Sequence, residues 1–143
     1  MSKKSLMLAI MVVGIATLFI SGGLIAANNF PEMIKMKNKA YEEHTKGIVD
    51  FSHGKHVDEY EVTCGECHHD DKGEPLTELK KGDDVQSCIE CHSKPGQKPK
   101  GKDAPKLSKE EELEYHAEAI HDNCIPCHRA FNKENETKAA PTS

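Results

Sequence analysis

Three copies of one five-residue pattern dominate this chain: Cys64-Gly65-Glu66-Cys67-His68, Cys88-Ile89-Glu90-Cys91-His92 and Cys124-Ile125-Pro126-Cys127-His128. Together they use all six cysteines. A cysteine pair with a two-residue gap, closed by histidine, admits few chemistries. A zinc ribbon needs four ligands per ion, so Cys64, Cys67, Cys88 and Cys91 could form one site and leave Cys124 and Cys127 over. Structural disulfides suit an exported chain. Neither gives the histidine after every pair a task. Covalent haem attachment does. Each thiol S–H adds across a porphyrin vinyl group, the gap lets both sulfurs face one edge of the ring, and the next histidine binds the iron. The pattern predicts three c-type haems, with Cys64, Cys67, Cys88, Cys91, Cys124 and Cys127 as attachment points and His68, His92 and His128 as iron ligands.

Composition agrees with a chain that borrows its core. Outside an apolar run from Leu6 to Ala27, the 143 residues are mostly Lys, Glu, Asp, Gly and Pro, with no Trp and 5% aromatics. Such a remainder cannot bury enough side-chain surface to fold on that alone. Three porphyrin discs would supply most of the interior, and the chain is expected to be largely unfolded without them.

The N-terminus reads as an export segment. Lys3 and Lys4 precede the apolar run, and small residues follow at Ser21-Gly22-Gly23 and Ala26-Ala27. Residues 1–27 fit a secretory signal peptide. At about 20 residues the run is also long enough for an uncleaved membrane anchor, an N-terminal apolar helix. Lys3 and Lys4 stay cytoplasmic in either case, so the rest is exported and a periplasmic location is expected.

Residues 28–47 read as a helical linker, with Pro31 opening a helix that reaches Lys46 and Gly47 stopping it. Met33, Met36, Ala40 and His44 fall near one face. Residues 48–131 hold the three motifs and form the cytochrome domain. Ile48-Val49-Asp50-Phe51 is strand-like. Lys94 to Lys109 is a Pro/Gly loop with six lysines against Asp103. Ser108-Lys109-Glu110-Glu111 has the spacing of a helix start, and that helix is expected to run to about Asn123. Leu113, Ala117, Ile120, His121 and Cys124 recur at helical spacing. Residues 132–143 read as a flexible tail. The fold class is thus a small haem-packed domain, mainly α, with much irregular structure and a short β segment.

Each iron has a sixth position. All five methionines lie in or near the N-terminal segments, whereas His44, His53, His56, His69, His116 and His121 lie outside the motif ends. Three irons need three of these six. Here the chain resembles a known family. Phe51-Ser52-His53-Gly54-Lys55-His56, followed by Cys64-Gly-Glu-Cys67-His68-His69, looks like the start of class III cytochromes c, the cytochrome c3 type. Tyr115 to Asp122 resembles the stretch before that family's third motif. The resemblance covers roughly residues 47–131. It implies His53 on the first haem, His69 on the second and His56 on the third. His121 matches a ligand of a fourth haem, but the chain has no fourth motif, so its iron is missing. It could replace a family ligand, bond a propionate or meet a haem on another subunit. His116 and His44 read as histidines without an iron. Trihaem relatives that lack the second haem, rather than the fourth, match less well.

Two histidines on every iron imply low potentials, because the thioether that raises the potential is absent. They also leave no site for substrate, so the chain reads as an electron carrier rather than an enzyme. A multihaem reductase would need one five-coordinate haem. A subunit of a larger membrane-bound or filamentous cytochrome assembly is the other alternative, since His121 could be completed by another chain. The family resemblance implies redox partners such as a hydrogenase, a formate dehydrogenase or a quinol-oxidising membrane complex. The formal charge is −5. The lysine loop is a candidate docking patch or a solvated loop. Nothing indicates nucleic-acid binding, a phosphate loop or a catalytic triad.

Overall fold

The computed structural model describes residues 30–142. The apolar run at residues 1–27, read as signal peptide or anchor, lies outside the described residues. Among the described residues no helix is long and apolar enough to cross a membrane.

Two short strands open the described chain. β1 (Ile34–Lys35) pairs antiparallel with β2 (Asp50–Phe51), with Ile34 opposite Phe51 and Lys35 opposite Asp50. The Met36 N–H continues the ladder to the Val49 carbonyl at 2.8 Å, and Lys35 Nζ meets Asp50 Oδ1 at 2.8 Å. The helix expected from Pro31 to Lys46 is therefore not formed. Met33 is 54% exposed, so a helix here would have little to bury. Asn38 also offers the backbone a competing arrangement: its side chain accepts from the Ala40 N–H at 2.9 Å, the start of a turn. Strand pairing with the Ile48–Phe51 piece wins instead.

Helices then carry the histidines and cysteines. α1 (His53–Asp58) follows β2 directly. A 3-10 turn covers Cys64–Glu66, and α2 covers Cys88–Cys91. α3 (Lys109–Leu113) begins as its sequence spacing predicts. The Glu111 N–H donates to Ser108 Oγ at 3.2 Å and the Ser108 N–H to Glu111 Oε2 at 2.7 Å, which closes a capping box.

That helix does not continue to Asn123 as one piece. It stops after Leu113, and α4 (His116–Glu134) starts anew. The break belongs to tertiary structure. Tyr115 is extended and forms a parallel bridge with Lys94. The loop after the second motif then caps α4, because the His116 N–H reaches the Lys94 carbonyl at 2.8 Å and the Ala117 N–H reaches the Gly96 carbonyl at 3.1 Å. α4 runs through the whole third motif with Pro126 inside it.

The chain reverses at Glu136, in the left-handed region at φ 48°, and returns along α4. Asn132 then bonds Ala140 twice. Residues 135–142, part of the 132–143 segment read as a tail, lie back along the helix through these bonds.

The protein contributes almost no apolar core of its own. Among the described residues the buried apolar side chains are Phe30 and Ala119, and none falls below 2% exposure. About 110 residues held on so little apolar burial cannot offset the entropy of ordering them.

Candidate haem sites

Each motif adopts a helical turn, and this gives its spacing a purpose. In the first, the His68 N–H donates to the Cys64 carbonyl at 2.9 Å; in the second, the His92 N–H donates to the Cys88 carbonyl at 2.9 Å. The third lies within α4. Positions i, i+3 and i+4 of a helical turn share one face, so both thiols and the imidazole of each motif leave from the same side. The intervening residues also matter. Glu90 accepts from the Ser87 N–H at 3.0 Å and so caps the turn it belongs to. Gly65 faces the backbone of Leu76, where a Cβ would lie 3.1 Å from the carbonyl oxygen.

Three other histidines come to face the motif histidines. His53 lies 6.4 Å from His68 between ring centroids, His69 lies 5.9 Å from His92, and His56 lies 6.1 Å from His128. Two imidazoles bound on opposite sides of one metal ion, each nitrogen ~2 Å from it, put their centroids about 6 Å apart. All three pairs have this separation. Sequence neighbours serve different pairs. His53 and His56 stand three residues apart on α1 and face different motifs, and the adjacent His68 and His69 do the same.

The tautomers suit the same purpose. Nδ1 lies against a backbone carbonyl in five of these six rings. The acceptors are Pro31 for His53 at 3.0 Å, Ser52 for His56 at 2.9 Å, Asp70 for His69 at 2.7 Å, Leu113 for His92 at 2.5 Å and Pro141 for His128 at 2.6 Å. A carbonyl can only accept, so Nδ1 holds the proton in each. That leaves Nε2 with its lone pair and the ring with a fixed orientation, the arrangement expected of a metal ligand.

Aromatic side chains line two of the pairs. Phe30 packs on His53 at 4.5 Å, and Phe51 lies 5.8 Å from His53 and 4.8 Å from His56. Tyr60 lies 5.7 Å from His56 and 6.4 Å from Phe131. Lys81 fixes this wall from outside: its ammonium sits 4.2 Å above the Phe30 ring and 2.7 Å from Asp58.

The motifs also approach one another. Asn123, just before the third motif, donates to the carbonyl of Cys67 in the first at 3.0 Å. In the free chain burial pushes the Cys67 thiol up to about 11, with the Cys124 and Cys127 thiols adding to it. Burial likewise raises Cys88 and Cys124. Thiols of all three motifs thus lie near one another, Cys67 and Cys124 each feeling Cys88 and Cys127.

The remaining histidines differ from one another. His121 is exposed and lines an open cleft of about 310 Å³ with Lys109, Asp122, Ile125 and Arg129. It is not brought to any of the three pairs. His116, read as a histidine without an iron on a charged helix, is 8% exposed. Tyr41 covers it: the hydroxyl and His116 Nδ1 share a hydrogen bond of 2.8 Å, and the Tyr41 ring stacks on His44 at 5.0 Å. Sequence reasoning missed this group because it needs the 30–46 segment to cross α4, and no periodicity encodes that crossing.

Paired imidazoles, helical C-x-x-C-H turns and a chain without a core of its own define a multihaem c-type cytochrome. A model of the class III cytochrome c family matches residues 30–143. The chain belongs to that family, whose members are multihaem electron-transfer proteins. Searches of curated proteins and of solved structures gave no significant match.

Proposed function

We propose that this protein carries three bis-histidine c-type haems and relays electrons at low potential outside the cytoplasm. The observation that carries the reading is the set of three imidazole pairs at 5.9, 6.1 and 6.4 Å. His53 and His68 would hold the first iron, His69 and His92 the second, and His56 and His128 the third. Cys64 and Cys67, Cys88 and Cys91, and Cys124 and Cys127 would form the thioethers. Bound haem iron supplies a one-electron couple, and two imidazoles without a thioether hold that couple low.

The chain's own residues serve transfer rather than bond making. Two imidazoles would hold each iron, which would leave no position for substrate. His68 and His69 tie the first two sites through one peptide bond, and the short helix α1 ties the first and third through His53 and His56. Short covalent links of this kind suit hopping between haems. The exported location follows the reading of residues 1–27, and the partners are other redox proteins.

Low-temperature EPR together with haem counting on the purified holoprotein tests the proposal. Three low-spin haems per chain are expected. A high-spin haem at one site would replace the carrier reading with that of a multihaem reductase.

A further inference from the structure

Residues 136–141 are held in a way the electron-carrier reading does not require. Asn132 lies four residues after His128 on α4, on the same helix face. Its side-chain amide takes both backbone groups of Ala140: Nδ2 donates to the Ala140 carbonyl at 2.7 Å, and Oδ1 accepts from the Ala140 N–H at 3.0 Å. The turn that makes this reach possible is itself built. Glu136 adopts φ 48°, the Thr137 N–H returns to the Asn132 carbonyl at 2.9 Å, and the Ala139 N–H donates to Thr137 Oγ1 at 3.3 Å. The next carbonyl after the clasp, that of Pro141, lies 2.6 Å from His128 Nδ1.

We propose that residues 136–141, clasped by Asn132, form a strap that positions His128 and tunes the third haem. This rests on the reading of His128 as an iron ligand. The other four Nδ1 acceptors belong to segments fixed elsewhere: Ser52 precedes α1, Asp70 adjoins His69, Leu113 ends α3 and Pro31 leads into β1. The Pro141 carbonyl follows the last helix, one residue beyond the Ala140 that the Asn132 side chain clasps. A carbonyl accepting from Nδ1 pulls that proton and makes the ring more electron-rich at Nε2. A more basic ligand favours the oxidised iron, so the strap lowers the third haem's potential relative to a His128 whose Nδ1 is bonded to water alone. Asn132 and Pro141 are thus positioning residues for electron transfer.

Two variants of the holoprotein test this, with midpoints resolved haem by haem in a redox titration followed by NMR or EPR. Asn132→Ala removes both points of the clasp. A chain ending at Ala139 removes the Pro141 carbonyl. In both, one midpoint is expected to rise and two to stay. The sign is diagnostic for the shortened chain, because a carboxylate placed at Ala139 would by itself lower the potential. His128→Ala separates the two ideas. If it leaves all three haems low-spin, the ligand reading fails. If it changes one haem while Asn132→Ala and the shortened chain move no midpoint, the strap proposal fails. Should either variant lose its third haem, the unaltered reduced holoprotein still decides: its His128 Nδ1 proton is expected to exchange slowly, and exchange as fast as that of an open imidazole overturns the strap.

Discussion

His68 and His69 are joined by one peptide bond, yet their rings face different partners: His68 faces His53 at 6.4 Å and His69 faces His92 at 5.9 Å. If each pair holds an iron, losing His69 affects the second haem and spares the first. His69→Ala is expected to give a holoprotein with one high-spin and two low-spin haems, because no other imidazole among the described residues faces His92 at that separation. EPR and the visible spectrum read this directly, and three low-spin haems in the variant would refute the assignment of His69.

How much of this was legible in the sequence depends on the range of the interaction. The motif turns were legible, because Cys, Cys+3 and His+4 encode a helical face locally. So was the capping box at Ser108, which needs only four residues. The assignment of His53, His56 and His69 to the three haems came from family resemblance, not from spacing. The Pro31–Lys46 helix failed because Met33, Met36, Ala40 and His44 imitate a helical stripe while the segment's backbone pairs with Val49 to Phe51. The burial of His116 beneath Tyr41 and the Asn132–Ala140 clasp were not legible in the sequence. Each depends on where another segment lies against α4, the 30–46 segment at His116 and the returning tail at Asn132, and local spacing encodes neither.

The scarcity of buried apolar groups yields a second prediction. With Phe30 and Ala119 as the buried apolar residues among those described, the chain has little to hold it before haem attachment. A variant with all six cysteines changed to serine is expected to show the circular dichroism and narrow amide NMR dispersion of an unfolded chain. Wide dispersion in that variant would mean that the polypeptide folds by itself.

Acid sensitivity has a candidate at His116. Burial lowers its pKa below the ordinary histidine value, and charge on His92 adds in the same direction. When His92 is committed to iron that second cause disappears and burial remains. A folded pKa below the unfolded ~6.5 means that the unfolded chain binds the proton more readily. The stability of the neutral ring is therefore complete above ~6.5 and is lost as pH falls through that value toward the lower folded pKa. Thermal midpoints measured on either side of this range should drop on the acid side, and drop less in His116→Gln. Equal drops in the two proteins would show that the group responsible lies elsewhere.

Gly65 tests the packing of the first motif. A Cβ there would lie 3.1 Å from the Leu76 oxygen and 3.2 Å from its carbonyl carbon. Leu76 cannot easily retreat, since its N–H is bonded to the His68 carbonyl at 2.9 Å. Gly65→Ala is expected to cost about 1–3 kcal/mol in guanidinium unfolding of the holoprotein, the range for overpacking. Gly47→Ala is the control. A Cβ at Gly47 meets nothing within 4 Å, and the change is expected to stay within about 0.5 kcal/mol.

The lysine loop ends as a sharper docking hypothesis than its six positive charges suggested. Three of those lysines are engaged within the protein. Lys94 pairs with Glu114, Lys98 with Glu112, and Lys109 with Asp122 at 2.5 Å. Lys98 is also half-buried, at 30% side-chain exposure. Lys100, Lys102 and Lys106 remain exposed, with Lys100 Nζ bonded to the neutral amide of Gln97 at 2.8 Å. A partner steered by this loop would respond to the second set and not to the first. Lys100→Gln and Lys102→Gln are expected to slow reduction by a negatively charged redox protein several-fold at low salt, with the difference fading as salt is added. Lys98→Gln frees Glu112 rather than removing a charge from the exposed set, so its effect should appear in thermal stability, at up to ~1 kcal/mol. Stopped-flow reduction at two ionic strengths distinguishes these cases, and identical rates for Lys100→Gln, Lys102→Gln and the unaltered protein would exclude the loop as the docking surface.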